Sequence, residues 1–142
     1  MLVAQILKNK GSQVHRCAPS DSLADVARAL DEHRVGAIVV MQSETVAGII
    51  SERDVVRAVS RHGAGALEKP VRDYMTANVV FARPQEAVDE LMERMTDRRI
   101  RHLPVCEGEA LVGIVSIGDV VKAKIAETEH EAETLKAYIV NG

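Results

Sequence analysis

Two short phrases in this 142-residue chain combine residue types and spacing that could do chemistry: Ser51-x-x-Asp54 and Ser116-x-x-Asp119. Each stands where a run of branched aliphatic residues gives way to helical spacing. A serine with an acid three residues on forms a capping box at such a junction, worth about 1 kcal/mol to the helix. The same junction leaves free N–H groups and partial positive charge, a natural seat for phosphate. Its carboxylate can also accept two hydrogen bonds from the paired hydroxyls of a ribose. The two roles are compatible. Arg53 favours the second, because a cation in the first turn of a helix opposes the macrodipole and a bound phosphate would account for it. Glu52 beside it offers the alternative of an exposed ion pair. Arg101 and His102 precede a further apolar run. The planar fork of arginine suits phosphate, and a histidine there would make binding mildly pH-sensitive. The alternative for this pair is exposure at a strand entrance.

No motif for catalysis accompanies these residues. The sequence has no Walker-type loop, G-x-S-x-G or H-E-x-x-H. His15, His33, His62, His102 and His130 are scattered without i,i+4 pairing, and His130 sits amid Glu127, Glu129, Glu131 and Glu133 as on a solvated helix face. Cys17 and Cys106 are far apart, with no identifiable base partner. Such thiols read as reduced residues of a cytoplasmic protein. The expectation is a protein that is not an enzyme, holds no metal and requires no cofactor. An apolar share of 46% and a charged share of 27% are those of a globular chain. A net charge of −3 gives no general basic field for nucleic acid. No stretch approaches the ~18 apolar residues of a membrane span, and none of the opening residues suggests a signal peptide.

The elements that must position these residues occur twice. A shift of 65 residues lays Cys17 to Ala58 on the later half without a gap, with eleven identities. Among them are Pro19 on Pro84, Arg34 on Arg99, Gly48 on Gly113, Ser51 on Ser116 and Asp54 on Asp119. At the start the shift becomes 68, so that the first copy holds three extra residues around Lys8 to Ser12, expected as a loop. Self-similarity of this kind is a duplication. In the first copy Ser20 or Asp21 can cap a helix whose apolar residues Leu23, Val26, Ala27 and Leu30 recur at helical spacing, and Val88, Leu91, Met92 and Met95 repeat that stripe in the second. Two short β-branched runs follow, and then a second helix from Ser51 or Ser116. Each unit reads as helix, strand, helix, strand, strand, helix. The predicted division is residues 1–62, residues 66–126 and a C-terminal helical extension over 127–142. That extension reads as a solvated tail docked on the domain or as a dimer contact. A unit of about 60 residues buries too little to stand comfortably alone, so the copies should lean on each other.

The phrases Gly48-Ile49-Ile50-Ser51-Glu52-Arg53-Asp54-Val55-Val56 and Gly113-Ile114-Val115-Ser116-Ile117-Gly118-Asp119-Val120-Val121 resemble the terminal motif of cystathionine-β-synthase (CBS) domains. Asp73-Tyr74-Met75-Thr76, Val79-Val80 and Arg99-Ile100-Arg101-His102-Leu103-Pro104-Val105 are similar to the opening and middle of such a domain. The resemblance covers residues 1 to 126. It implies an α/β (α+β) fold of tandem CBS repeats, each a small three-stranded sheet with helices, packed about a pseudo-two-fold axis as a Bateman module. It implies two clefts that commonly take AMP, ADP, ATP, NAD or S-adenosylmethionine. Asp54 and Asp119 would hold the ribose, with Ser51 and Ser116 beside ribose or phosphate, and Arg101 and His102 would reach phosphates. The adenine pocket would pair the opening strand of one repeat with the aspartate of the other. Thr76, Val79, Val80 and Ala82 could line one pocket and Val14, His15 and Cys17 the other, with Val35, Gly36, Ala37, Ile38, Leu103 and Pro104 as further candidates. For each apolar member core packing is the alternative. The implied function is a sensor of energy or metabolite state, a homodimer read by an unidentified regulated protein. The competing expectation is a ligand-free interaction scaffold with vestigial pockets.

Overall fold

The structure, a computed structural model, describes residues 1–141. Helix α1 (Val3–Lys10) leads to the two-residue strand β1 (Arg16–Cys17) and helix α2 (Leu23–His33). Ser22 caps α2, its hydroxyl accepting the Asp25 amide at 3.1 Å. The expected caps lie just upstream, and Asp21 is engaged instead with the Ala18 amide at 2.8 Å. Leu23, Val26 and Leu30 turn one face of α2 into the core, and Arg34 ends it in the left-handed conformation. Strands β2 (Ala37–Gln42) and β3 (Thr45–Ser51) form an antiparallel hairpin, with β1 parallel to β2 on its other edge. Helix α3 (Glu52–His62) starts directly at the end of β3.

After 3₁₀ turns at Ala64–Glu68 and Val71–Asp73, the pattern returns as α4 (Val88–Arg98), β4 (His102–Glu107), β5 (Ala110–Ser116) and α5 (Ile117–Asn141). Arg99 ends α4 as Arg34 ends α2, each with φ 54°. The hairpins share their register, pairing Val40 with Gly48 and Val105 with Gly113, and the same irregularity follows each pair.

Three features depart from the repeat. The opening helix of the second copy is a single 3₁₀ turn, and its opening strand is reduced to one parallel bridge from Ala82 to Val105, so the second sheet has two strands. The extra residues of the first copy are not wholly a loop: α1 runs through Lys10 and stops at Gly11, whose φ of 94° suits glycine. The C-terminal extension is not a separate helix but the continuation of α5, 25 residues long, with Leu135, Tyr138 and Ile139 exposed. No helix among the described residues is long and apolar enough to cross a membrane.

The two cores exchange their opening segments. Leu23, Val26, Leu30, Ile38, Val40 and Ile50 form one cluster with Ala66 and Val71, against which Tyr74 and Met75 pack from the start of the second copy. Val88, Leu91, Met95, Leu103, Val105 and Val115 form the other, joined by Val3 and Ile6 of α1. Each fully buried aliphatic side chain contributes about 1.5–3 kcal/mol. Bridges from Ile49 to Thr76 and from Leu2 to Ala87 pin these exchanged segments. Glycines permit the close approach: a Cβ on Gly48 would stand 2.7 Å from Met75 Sδ, and one on Gly113 2.6 Å from Leu7 Cδ2.

Candidate functional site

The strand-to-helix junctions position the hydroxyl and carboxylate pairs. At the first, Ser51 Oγ accepts the Asp54 amide at 3.2 Å and donates to Asp54 Oδ2 at 2.9 Å, while the Ser51 amide donates to that same carboxylate oxygen at 2.9 Å. At the second, the Ser116 amide donates to Asp119 Oδ2 at 2.9 Å and Ser116 Oγ accepts the Asp119 amide at 3.2 Å. Both junctions are therefore helix caps in geometry, whatever else they bind.

Their surroundings differ. The first opens into a cavity of about 320 Å³ between the two halves, within the size range of small-molecule sites. Ser51, Arg53 and Asp54 form one wall, Gly36 and Ala37 another, Thr76, Val79 and Val80 a third, and Arg101 with His102 closes the group. Ten of the residues singled out in the sequence thus meet in one place. Arg57, Asn78 and Arg99 also line it and were not singled out. Arg57 could have been found from its position one turn beyond Arg53, and Arg99 from its identity with Arg34 across the repeat. Four guanidinium groups (Arg53, Arg57, Arg99, Arg101) face two carboxylates (Glu52, Asp54), an excess of two positive charges suited to an anion. Arg57 Nη1 is 3.6 Å from Asp54 Oδ1.

His102 is half-buried against Gly36. Burial holds its pKa below the ordinary value, with Lys10 and Arg101 acting in the same direction and Glu52 and Asp119 opposing. A neutral imidazole results at neutral pH, with one N–H to give and one nitrogen to accept.

At the second junction the carboxylate has a cation close beside it. Lys10 Nζ donates to Asp119 Oδ2 at 2.6 Å and to the Ile114 carbonyl at 2.9 Å. Burial alone would raise the Asp119 pKa, but the Lys10 hydrogen bond, joined by the Ser116 amide, takes it below the usual carboxylate value. Ser116 and Asp119 lie outside the 320 Å³ cavity, as do Val14, His15 and Cys17. The His15 ring stacks on His33 with centroids 3.9 Å apart. Burial, with the charge of His33, lowers the pKa of His15. Cys17 packs against the first core, and burial, seconded by Asp21, pushes its thiol up to about 11.

Five further candidates also lie away from the cavity. Ile38 and Leu103 occupy matching positions in β2 and β4, point into the two cores and are at most 1% exposed. Pro104 is buried in β4, its carbonyl accepting the Ala82 amide at 2.9 Å. Ala82 is fully buried and borders a different, open groove between the hairpin tips, lined also by Arg16, Phe81, Glu44 and Glu109. Val35 faces the outer groove between α2 and α3. A strand buried on both sides leaves few side chains for a cleft.

The CBS domain family matches this chain over residues 5–61 and 71–126. The mitochondrial CBS domain-containing protein CBSX3 of Arabidopsis thaliana is 36% identical over 99% of this chain and 72% of its own length. A CBS-domain-containing protein of Agrobacterium tumefaciens has a similar structure, with a TM-score of 0.85 and 44% identity, covering 87% of this chain and 99% of its own. The CBS domain pair of protein MJ0100, solved in complex with 5′-methylthioadenosine and S-adenosyl-L-methionine, aligns with a TM-score of 0.77 and 25% identity, covering 87% of this chain and 98% of its own. With both copies matched and the same tandem architecture in these relatives, the protein belongs to the CBS domain family, as a CBS domain pair.

Proposed function

We propose that this CBS pair is a regulatory module without catalytic activity that binds an adenine nucleotide (AMP, ADP, ATP, NAD or S-adenosylmethionine) in the cleft at Asp54. The observation that carries the reading is the cavity itself, where an aspartate at a helix N-terminus, a valine-lined wall and four guanidinium groups converge. In this reading Asp54 Oδ1 receives the ribose hydroxyls and displaces the loose contact with Arg57. Phosphate lies towards Arg53, Arg101 and the free amides of α3. Val79 and Val80 cover the base. The adenosine compounds bound by the MJ0100 pair support an adenine-containing ligand.

A sensor also needs a reader. The module forms a homodimer through the outer faces of α3 and α5, where Val56, Val59, Val121 and Ile125 are exposed, and a regulated protein responds to the change in packing. Such a response requires that the ligand bind one state better than another. The free thiols of Cys17 and Cys106 support a cytoplasmic location. Calorimetric titration with these five compounds tests the proposal: at least one should give a saturable heat below millimolar concentration. No heat with any of them at millimolar ligand would leave the ligand-free scaffold as the better account.

A further inference from the structure

We propose that Lys10 is a built-in occupant of the second cleft, holding the carboxylate of Asp119 where a ribose would otherwise bind, so that the protein takes one nucleotide per chain, at Asp54. The inference rests on the nucleotide reading of the Asp54 cleft.

The two junctions are built alike. The Glu52 amide donates to the Gly36 carbonyl at 3.0 Å and the Ile117 amide to the Arg101 carbonyl at 2.8 Å, equivalent bonds in the two copies. The serine–aspartate distances also agree, at 2.9 Å and 3.2 Å. The difference lies in the exchanged opening segments. Leu7 packs on Gly113 as Met75 packs on Gly48. Beyond Met75 the chain leaves its 3₁₀ turn, and the Thr76 amide donates to the Ile49 carbonyl at 2.9 Å. Beyond Leu7 the three extra residues let α1 continue, and the carbonyl equivalent to that of Ile49, on Ile114, is met by the Lys10 ammonium at 2.9 Å. The ammonium thus replaces a strand amide and spans to Asp119 at 2.6 Å. Asp54 and Asp119 each have Oδ2 held by the junction. At Asp54 the Arg57 guanidinium stands 3.6 Å from Oδ1, whereas at Asp119 the Lys10 ammonium shares Oδ2 with the junction at 2.6 Å and so sits within the carboxylate's own coordination shell. A ribose diol, which can only donate one neutral hydrogen bond per hydroxyl, competes poorly with an ammonium hydrogen-bonded to the carboxylate. The insertion that lengthened one copy has therefore made the duplicated sites unequal.

Lys10→Met removes the cation, and Lys10→Gln keeps a donor for the Ile114 carbonyl in case the first variant is poorly folded. Each is titrated calorimetrically with AMP, ADP, ATP, NAD and S-adenosylmethionine, alone and combined with Asp54→Ala. The expected result is one site in the natural protein, two in the Lys10 variants and one in the double variants. Two sites in the natural protein, or a single site lost with Asp54→Ala in every Lys10 variant, would overturn the inference. Binding by the Lys10 variants but not by the natural protein would uphold the occupancy of the second cleft by Lys10 while overturning the single site at Asp54. Binding by none would refute both.

Discussion

The imidazole of His102 rests on the bare Cα of Gly36: a Cβ there would lie 2.8 Å from Nε2 and 2.9 Å from Cε1, with Glu52 Oε1 at 3.2 Å. Gly36→Ala must push the ring towards the cavity. Overpacking of this kind costs about 1–3 kcal/mol, and we expect about 1 kcal/mol because both neighbours are side-chain ends. Nucleotide affinity should fall as well. Denaturant melts of the single variant, of His102→Ala and of the double variant measure the coupling. If the double variant loses the full sum of the two single losses, the contact has no energetic weight.

Gly48 and Gly113 occupy the same position in the two copies but meet different obstacles. A methyl group on Gly48 would strike the Thr76 carbonyl at 2.8 Å, whereas on Gly113 it meets only the end of the Leu7 side chain. Backbone cannot step aside as a leucine can. Gly48→Ala should therefore cost about 2–3 kcal/mol and Gly113→Ala about 1 kcal/mol, read as the shift in urea midpoint. The reverse order would contradict the account of the exchanged segments.

Replacing either aspartate separates capping from ligand binding. Asp54→Ala removes the acceptor of the Ser51 amide, a change worth about 1 kcal/mol of stability, and should weaken nucleotide binding at least tenfold. Asp119→Ala should cost a similar stability through the loss of its own bonds to Ser116 and Lys10, yet leave that affinity within about twofold. Binding constants and melting curves of both variants are the test. Equal loss of affinity in the two would mean that both carboxylates hold ligand.

His102 gives the protein a defined pH response. The unfolded chain takes up a proton near the ordinary imidazole value of 6.5, whereas the folded ring, depressed chiefly by burial, takes it up at lower pH. Above 6.5 both states are neutral at this residue and its stability contribution is complete. As the pH falls from there towards the folded value, proton uptake by the unfolded chain progressively erodes stability. Glu52, Lys10, Asp119 and Arg101 set the folded value alongside burial. His102→Gln should flatten this part of the profile. Melting temperatures between pH 7.5 and 5.5 check it, and parallel profiles for the two proteins would assign the response to other groups such as His15.

The duplication made the architecture legible, because each apolar stripe and each strand-to-helix phrase appears twice and one copy checks the other. Local choices were less readable. Ser20, Asp21 and Ser22 can all cap a helix, and only the start of α2 at Leu23 selects the last. Ile38 and Leu103 sit in runs apolar on both faces, where alternation cannot say which side faces a cleft. Ala37 and His102, by contrast, lie at the cleft end of the same strands and do reach it. Asn78 joins the cavity through packing between elements, which no single stretch of sequence carries. Lys10 was hidden most completely, since a three-residue insertion rich in lysine, asparagine and glycine reads as a loop until tertiary contacts extend the helix through it.

The exchange of opening segments has a consequence for how the chain reaches its native state. The first core draws on residues up to Met75, so a nascent polypeptide released at the repeat boundary would still lack part of that core. The second core unites Val3 and Ile6 with residues as distant as Val120, and it closes only when the amino-terminal helix returns from the far end of the molecule. Neither copy is a foldon in its own right. Clipping the first ten residues would damage the second repeat more than the first, and the whole pair should unfold as one cooperative unit.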